Sequence, residues 1–299
     1  MAEVPQRRLG EMLQQVLTVL AAEPDGLPVQ TVIDQVARRL SLTPFEQQPY
    51  PNQPQNKRRF DKLLRFATIY PVKAGWLVKD HGTWRITAAG RSALAEHPEP
   101  LALKRAVNRL YKTWQSRQPR AGDESLPDEE TVPRDVAVTV EEAQDTAWTE
   151  ISRYIHGMDP YEFQDLVAAL LRAMRYHVPW TAPRGHSDGG RDLLAYTDPL
   201  GTRGPRIVVQ VRNREKRADA DDIRGLLAVL GDSDVGLFVS SSGFTSEAER
   251  EARAQERRRL TLIDLPRLVD LWIGHYQQLT DAERAQLPLT PVYFLAPRS

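Results

Sequence analysis

Two stretches carry the reading: Ser187-Asp188-Gly189-Gly190-Arg191-Asp192, and, about one strand later, Ile207-Val208-Val209-Gln210-Val211-Arg212. Along a strand, alternate side chains share a face. Ile207, Val209 and Val211 therefore point to a core and leave Gln210 and Arg212 together on the opposite face. With an aspartate on the neighbouring strand, this is an inventory for a cation and a phosphate. A hard divalent ion such as Mg²⁺ takes oxygen ligands, keeps several waters and accepts a phosphate oxygen. Asp192 and the Gln210 side-chain oxygen are the candidate metal ligands, with the Val211 carbonyl as a third. Arg212 stands where a cation would offset charge building on phosphate oxygens. Asp188, followed by two glycines, is read first as turn chemistry.

Around these stretches the periodicity alternates between helix and strand. A helix is expected over 161–175, with Phe163, Leu166, Val167, Leu170, Leu171 and Met174 as its buried stripe. Asp159-Pro160-Tyr161-Glu162 gives it a cap acid, a proline at the first helical position and a glutamate at the third. Gln164 lies on this helix beside Asp165, on the side away from the stripe. Strands are expected at 178–181, 192–196, 206–213, 235–240 and 260–263, with helices over 221–230, 246–258 and after Pro266. Ser246, with Glu249 three residues on, is the expected cap of the second of these helices. The order is that of an α/β domain whose mixed sheet has helices on both faces.

The first hundred residues follow a different pattern. Helices are expected over 6–22, 29–40 and from about 56 to just before Pro71, with a proline-bearing loop over 44–54. Two β-prone runs then flank Asp80-His81-Gly82, a hairpin whose core is Trp76 and Trp84. Three helices and a hairpin make an α+β winged-helix order. The third helix carries Lys57, Arg58, Arg59, Lys62 and Arg65 against Asp61 alone, a density that suits a DNA groove. His81 and Arg85 on the hairpin complete the expected DNA-binding set.

The whole chain has 299 residues, long enough for two domains, with 41% hydrophobic and 27% charged residues. Forty Lys+Arg balance forty Asp+Glu, so any basic face is local. The absence of cysteine excludes disulfides and thiol nucleophiles and fits a reducing interior. The six scattered histidines lack ligand spacing for zinc. No apolar run approaches membrane-spanning length and the N-terminus lacks a signal pattern, so the expectation is a cytoplasmic protein without membrane contact. The division expected is 1–97 for the winged-helix domain, 98–139 for a partly helical linker, and 140–299 for the α/β domain with a leading helix and a C-terminal tail.

Phe163-Gln164-Asp165-Leu166-Val167, Ser187 to Asp192, Val209-Gln210-Val211-Arg212 and Ser242-Gly243-Phe244-Thr245 together resemble the Mrr family of restriction endonucleases. That family has the PD-(D/E)xK nuclease fold, in a version with Gln at the D/E position. The likeness covers roughly residues 159–273, and Gly82-Thr83-Trp84-Arg85-Ile86-Thr87-Ala88-Ala89-Gly90 resembles the family's N-terminal winged-helix domain. The resemblance implies type IV restriction: Mg²⁺-dependent (or Mn²⁺-dependent) cleavage of modified, typically methylated, double-stranded DNA, with Asp192 and Gln210 on the metal. Cutting both strands would need two active sites, hence a homodimer or a DNA-induced oligomer. The catalytic set expected is Asp192, Gln210, Arg212 and Gln164. The family usually has glutamate where Gln164 stands and lysine where Arg212 stands. A neutral amide holds a hard cation less firmly, and an arginine does not exchange a proton near neutrality. The alternative is therefore a DNA-binding or sensor protein of the same fold whose cleavage is weakened or lost.

Overall fold

The computed structural model describes residues 5–49, 58–116, 132–184, 190–255 and 258–292. The chain forms two compact units, the first ending at Thr149 and the second running Glu150–Val292.

In the first unit, α1 (Gln6–Ala21) leads through β1 (Leu27–Pro28) into α2 (Val29–Arg39), the short α3 (Pro44–Gln47) and α4 (Arg59–Lys73). The hairpin β2 (Leu77–Asp80) and β3 (Thr83–Ile86) follows, then α5 (Ala88–Glu96), α6 (Pro100–Ser116) and α7 (Val132–His156). The hairpin turns on His81 and Gly82, with φ of 43° and 67°, a two-residue turn with both central residues left-handed. β1 pairs on β3, giving the antiparallel order β1-β3-β2. Met12, Val16 and Leu20 of α1, Val32 and Ile33 of α2, Phe60 and Leu64 of α4, and both hairpin tryptophans fill one core.

Four local expectations change. The 44–54 loop contains α3, because Thr43 and Glu46 form a capping box and Arg8 pairs with Glu46. α4 runs through Pro71 to Lys73; a proline in the last turn removes one ladder bond, and its ring is buried. α5 forms where the sequence pattern predicts no helix. Finally, α6 is not linker: Leu103, Ala106 and Val107 sit in the core of α1 and α4, so the unit extends well past residue 97.

The second unit opens on the last turns of α7 and α8 (Pro160–Ala173), followed by β4 (His177–Thr181), β5 (Leu193–Tyr196), β6 (Ile207–Arg212) and α9 (Ala220–Val229). Then come β7 (Val235–Ser240), α10 (Ser246–Arg253), β8 (Arg259–Ile263), α11 (Leu265–Gly274), a 3-10 turn Tyr276–Gln278 and α12 (Asp281–Arg284). The five strands lie in the order β4-β5-β6-β7-β8, antiparallel from β4 to β6 and parallel from β6 to β8. This is the expected mixed sheet flanked by helices. Val208 and Phe238 pack one face against Ile223 and Leu226 of α9 and Ala248 of α10. Ile207, Leu237 and Val239 turn the other face toward Val167 and Leu171 of α8 and Leu268 of α11. α10 starts one residue earlier than expected in its capping: Thr245, in extended backbone, accepts from Ala248 N–H, while Ser246 is already helical. Among the described residues, no helix is long and apolar enough to cross a membrane.

Candidate active site

The site lies where β5 begins and β6 ends. Asp192 is fastened to β6 on both sides of Gln210. Its backbone N–H donates to the Val209 carbonyl at 2.8 Å, and its carboxylate Oδ2 accepts from Val211 N–H at 2.7 Å. The carboxylate is therefore held at the level of Gln210 by the strand that carries Gln210. Gly190, at φ 85°, takes the left-handed backbone that favours glycine where the chain enters the site.

Gln210 is only 3% exposed, and its Oε1 is buried without a hydrogen-bond partner among the described residues. An amide oxygen left so costs about 1–3 kcal/mol. Such a lone acceptor beside a carboxylate is what an oxygen-seeking cation would satisfy, so these residues fit a Mg²⁺-type ion. No group of three or more His, Cys, Asp or Glu suited to a metal occurs among the described residues. Among the described residues the donor set is thus one carboxylate and one carboxamide, which water and phosphate oxygens could complete, a composition Mg²⁺ accepts. Asp188 and the rest of 185–189 lie outside the described residues.

Arg212 shares the Gln210 face, about one-third exposed, with Nη2 3.8 Å from Asp222 Oδ1 and a buried Nε that has no partner among the described residues. At that distance the contact is Coulombic, not a hydrogen bond. Arg214 holds Asp222 far more firmly, through Nη2 to both oxygens at 2.7 and 2.6 Å, which leaves the Arg212 head available to an anion. Asn213 ties this strand end to the end of α7, donating from Nδ2 to the carbonyls of Ile155 and Met158. Ser242 Oγ donates to the Arg214 carbonyl, bracing the loop after β7.

Gln164 is placed otherwise than its position beside Asp165 suggested. It is buried, and Nε2 donates to the Ala182 carbonyl at 3.1 Å. Ala182 N–H in turn donates to the Asp192 carbonyl at 2.8 Å. Gln164 is therefore linked to Asp192 through one backbone residue. Ala182 is a participant that sequence reasoning missed, and no local signal marks it. Glu162 plays the expected capping part, its Oε2 accepting the Asp159 N–H at 3.0 Å.

The residues of the candidate DNA-binding set have unlike surroundings. Lys57 lies outside the described residues. Arg58 pairs with Asp34 and Asp61, and Arg59 lies over the Phe45 ring at 4.5 Å. Lys62 and Arg65 are buried, His81 meets Asp80 at 2.6 Å, and Arg85 is exposed. Arg65 contacts Glu141 and Asp145 of α7 at 2.8 and 2.6 Å, and Lys79 Nζ meets both Glu141 oxygens. Burial pushes the Lys79 ammonium down to about 8 and the Asp145 carboxyl upward, against the pull of their partners.

A family model described as restriction endonuclease matches residues 155–272, and one described as the Mrr N-terminal domain matches residues 10–96. A type IV methyl-directed restriction enzyme of Escherichia coli (strain K12), EcoKMrr, is 22% identical over 292 residues, covering 88% of this chain and 90% of that protein. Two solved structures are also similar. The MspJI restriction endonuclease in complex with a 27-mer oligonucleotide is 16% identical, with TM-score 0.31, over 68% of this chain and 47% of that one. The DNA modification-dependent restriction endonuclease AspBHI is 18% identical, with TM-score 0.37, over 62% of this chain and 51% of that one. The matched chain thus spans about half the length of these two solved structures.

Proposed function

Since this chain belongs to the Mrr family of restriction endonucleases, we propose that it hydrolyses phosphodiester bonds of modified duplex DNA at a divalent-ion site made by Asp192 and Gln210. The observation that carries the reading is the buried Gln210 Oε1, without a partner among the described residues, at the level of a carboxylate fixed by Val211 N–H. Asp192 and Gln210 would hold Mg²⁺ or Mn²⁺, with the Val211 carbonyl as a further oxygen. When bound, such an ion lowers the pKa of a water and offsets phosphate charge.

The protein's own groups do the remaining work. Arg212 offers its partly exposed guanidinium to the phosphate and neutralises charge there without moving a proton. Gln164, through Ala182, holds the strand that presents Asp192. The N-terminal unit supplies duplex binding, and two copies of the chain would be needed to cut both strands. The cytoplasm, where entering DNA is met, is the proposed place of action.

Supercoiled plasmid prepared with and without base methylation tests this, incubated with pure protein and Mg²⁺ or Mn²⁺. The expected result is nicking that favours the methylated plasmid and vanishes in Asp192→Ala. Duplex binding without nicking beyond that control would instead support the non-cutting DNA-binding alternative.

A further inference from the structure

Glu141, Glu142, Asp145 and Trp148 recur at helical spacing and so share one face of α7. That face is spent on the two elements expected to read DNA. Arg65 of α4 gives Nη1 to Glu141 and Asp145, and its Nε lies 3.8 Å from Glu142. Lys79 of β2 shares the Glu141 carboxylate, with Nζ to Oε2 at 2.7 Å. The Arg65 side chain is 6% exposed and that of Lys79 13%. Two turns along, Trp148 presses on the hairpin turn, its ring 4.8 Å from that of His81, edge to face. A Cβ at Gly82 would stand 2.8 Å from Trp148 Cδ1, so the approach depends on a glycine at the tip.

The chemistry of this contact is that of DNA binding with the wrong anion. Arg and Lys on a reading helix and its hairpin serve to neutralise phosphates. Here carboxylates at hydrogen-bonding distance occupy them. Ion pairs this far from water gain little net stability, because desolvation cancels most of the attraction. A polyanion that brings many phosphates can therefore compete for the same cations. By contrast α6, on the same unit, is held by the apolar contacts of Leu103 and Val107.

We propose that this acidic face of α7 is a displaceable cover: its carboxylates stand in for phosphates on Arg65 and Lys79, Trp148 shields the hairpin turn, and duplex DNA removes it. The inference rests on the reading that the N-terminal unit binds duplex DNA. Keeping the surface closed lowers apparent affinity by the fraction of molecules that are open. A protein able to cut DNA would thereby engage it only where local contacts are strong enough to open the cover.

The test uses the full-length chain and a fluorescein-labelled duplex oligonucleotide, with binding followed by anisotropy at fixed salt. Glu141→Gln with Asp145→Asn should tighten binding by about tenfold, and Trp148→Ala, which leaves every charge paired, should tighten it in the same direction. In the unmutated protein, amide exchange over residues 140–149 should accelerate when DNA binds. Should the double variant fail to fold, Trp148→Ala and the exchange measurement decide. Unchanged affinity in the folded variants, or exchange over 140–149 that stays level or slows on DNA binding, overturns the cover and leaves DNA reading intact. No duplex binding by the unmutated protein or any variant overturns both.

Discussion

Around Arg65 and Lys79 on the first unit, cations are matched to the carboxylates of Glu141 and Asp145 within 2.8 Å. At the end of β6 on the second, Gln210 Oε1, Arg212 Nε and Asn213 Oδ1 are buried with no partner among the described residues. Both clusters are polar, both are largely withdrawn from water, and both come from stretches whose composition suggested contact with DNA. They differ in what they lack. A charge count finds the first cluster, yet the structure shows it already satisfied from within the chain. The second has an excess of unmet hydrogen-bonding capacity, and unmet capacity in a buried place is where a ligand earns binding energy. Density of charge alone is thus a poorer guide to a working site than the partners each polar atom has.

The sharpest separation of the two clusters comes from removing one group at a time. Asp192→Asn keeps the shape and deletes the carboxylate that Val211 N–H holds at the level of Gln210. Nicking of supercoiled DNA should fall by more than about a thousandfold with the denaturation midpoint nearly unchanged. Arg65→Met should do the opposite. Asp145 would be left without its Arg65 partner and Glu141 with Lys79 alone, so the first unit should lose about 3 kcal/mol in urea denaturation. Nicking at saturating plasmid should persist, while the plasmid concentration that gives half the maximal rate should rise, because one phosphate-binding cation is gone.

Gln210→Leu tests the unpartnered oxygen itself. A near-isosteric apolar side chain removes a buried unsatisfied amide, so stability should hold or rise, while nicking drops by roughly a hundredfold. Loss of both together would mean that the amide serves the fold. The smallest effect is expected at a pair that belongs to neither cluster. Arg206 binds the Asp234 carboxylate through two hydrogen bonds of 2.9 and 2.6 Å and holds its pKa below the ordinary 3.8. A depressed carboxyl contributes stability that is full at neutral pH and is lost as pH falls below about 3.8 and through the lowered value. Asp234→Asn should cost about 1 kcal/mol at pH 7 and flatten that acid limb, measured as the urea midpoint against pH.

How much of this was legible in the chain depended on the range of the interactions. Strand β7, a continuous apolar run, is found at Val235–Ser240 as expected. The Asp159–Glu162 cap was equally readable, because its partners are three residues apart. α5 escaped notice because an alanine-rich segment after a hairpin has little periodicity to show. α6 displayed its apolar stripe, but a stripe does not name the core it enters. The candidate site was legible in its residues, since Gln210 sits in a recognisable strand and Asp192 immediately before one. Its geometry was not. Gln164 is buried because it meets a carbonyl 18 residues on, and Arg65 is closed by acids 76 and 80 residues away. Pairings of that range are set by tertiary packing, which local patterning does not encode.

The central claim is that one divalent ion is shared by the Asp192 carboxylate and the Gln210 amide oxygen. Titration of the pure chain with Mn²⁺, followed by loss of the free-ion paramagnetic resonance signal, measures it without any cleavage step. One bound ion per chain is predicted, absent in Asp192→Asn and weakened by about tenfold in Gln210→Leu. The same stoichiometry and affinity in all three proteins would contradict it.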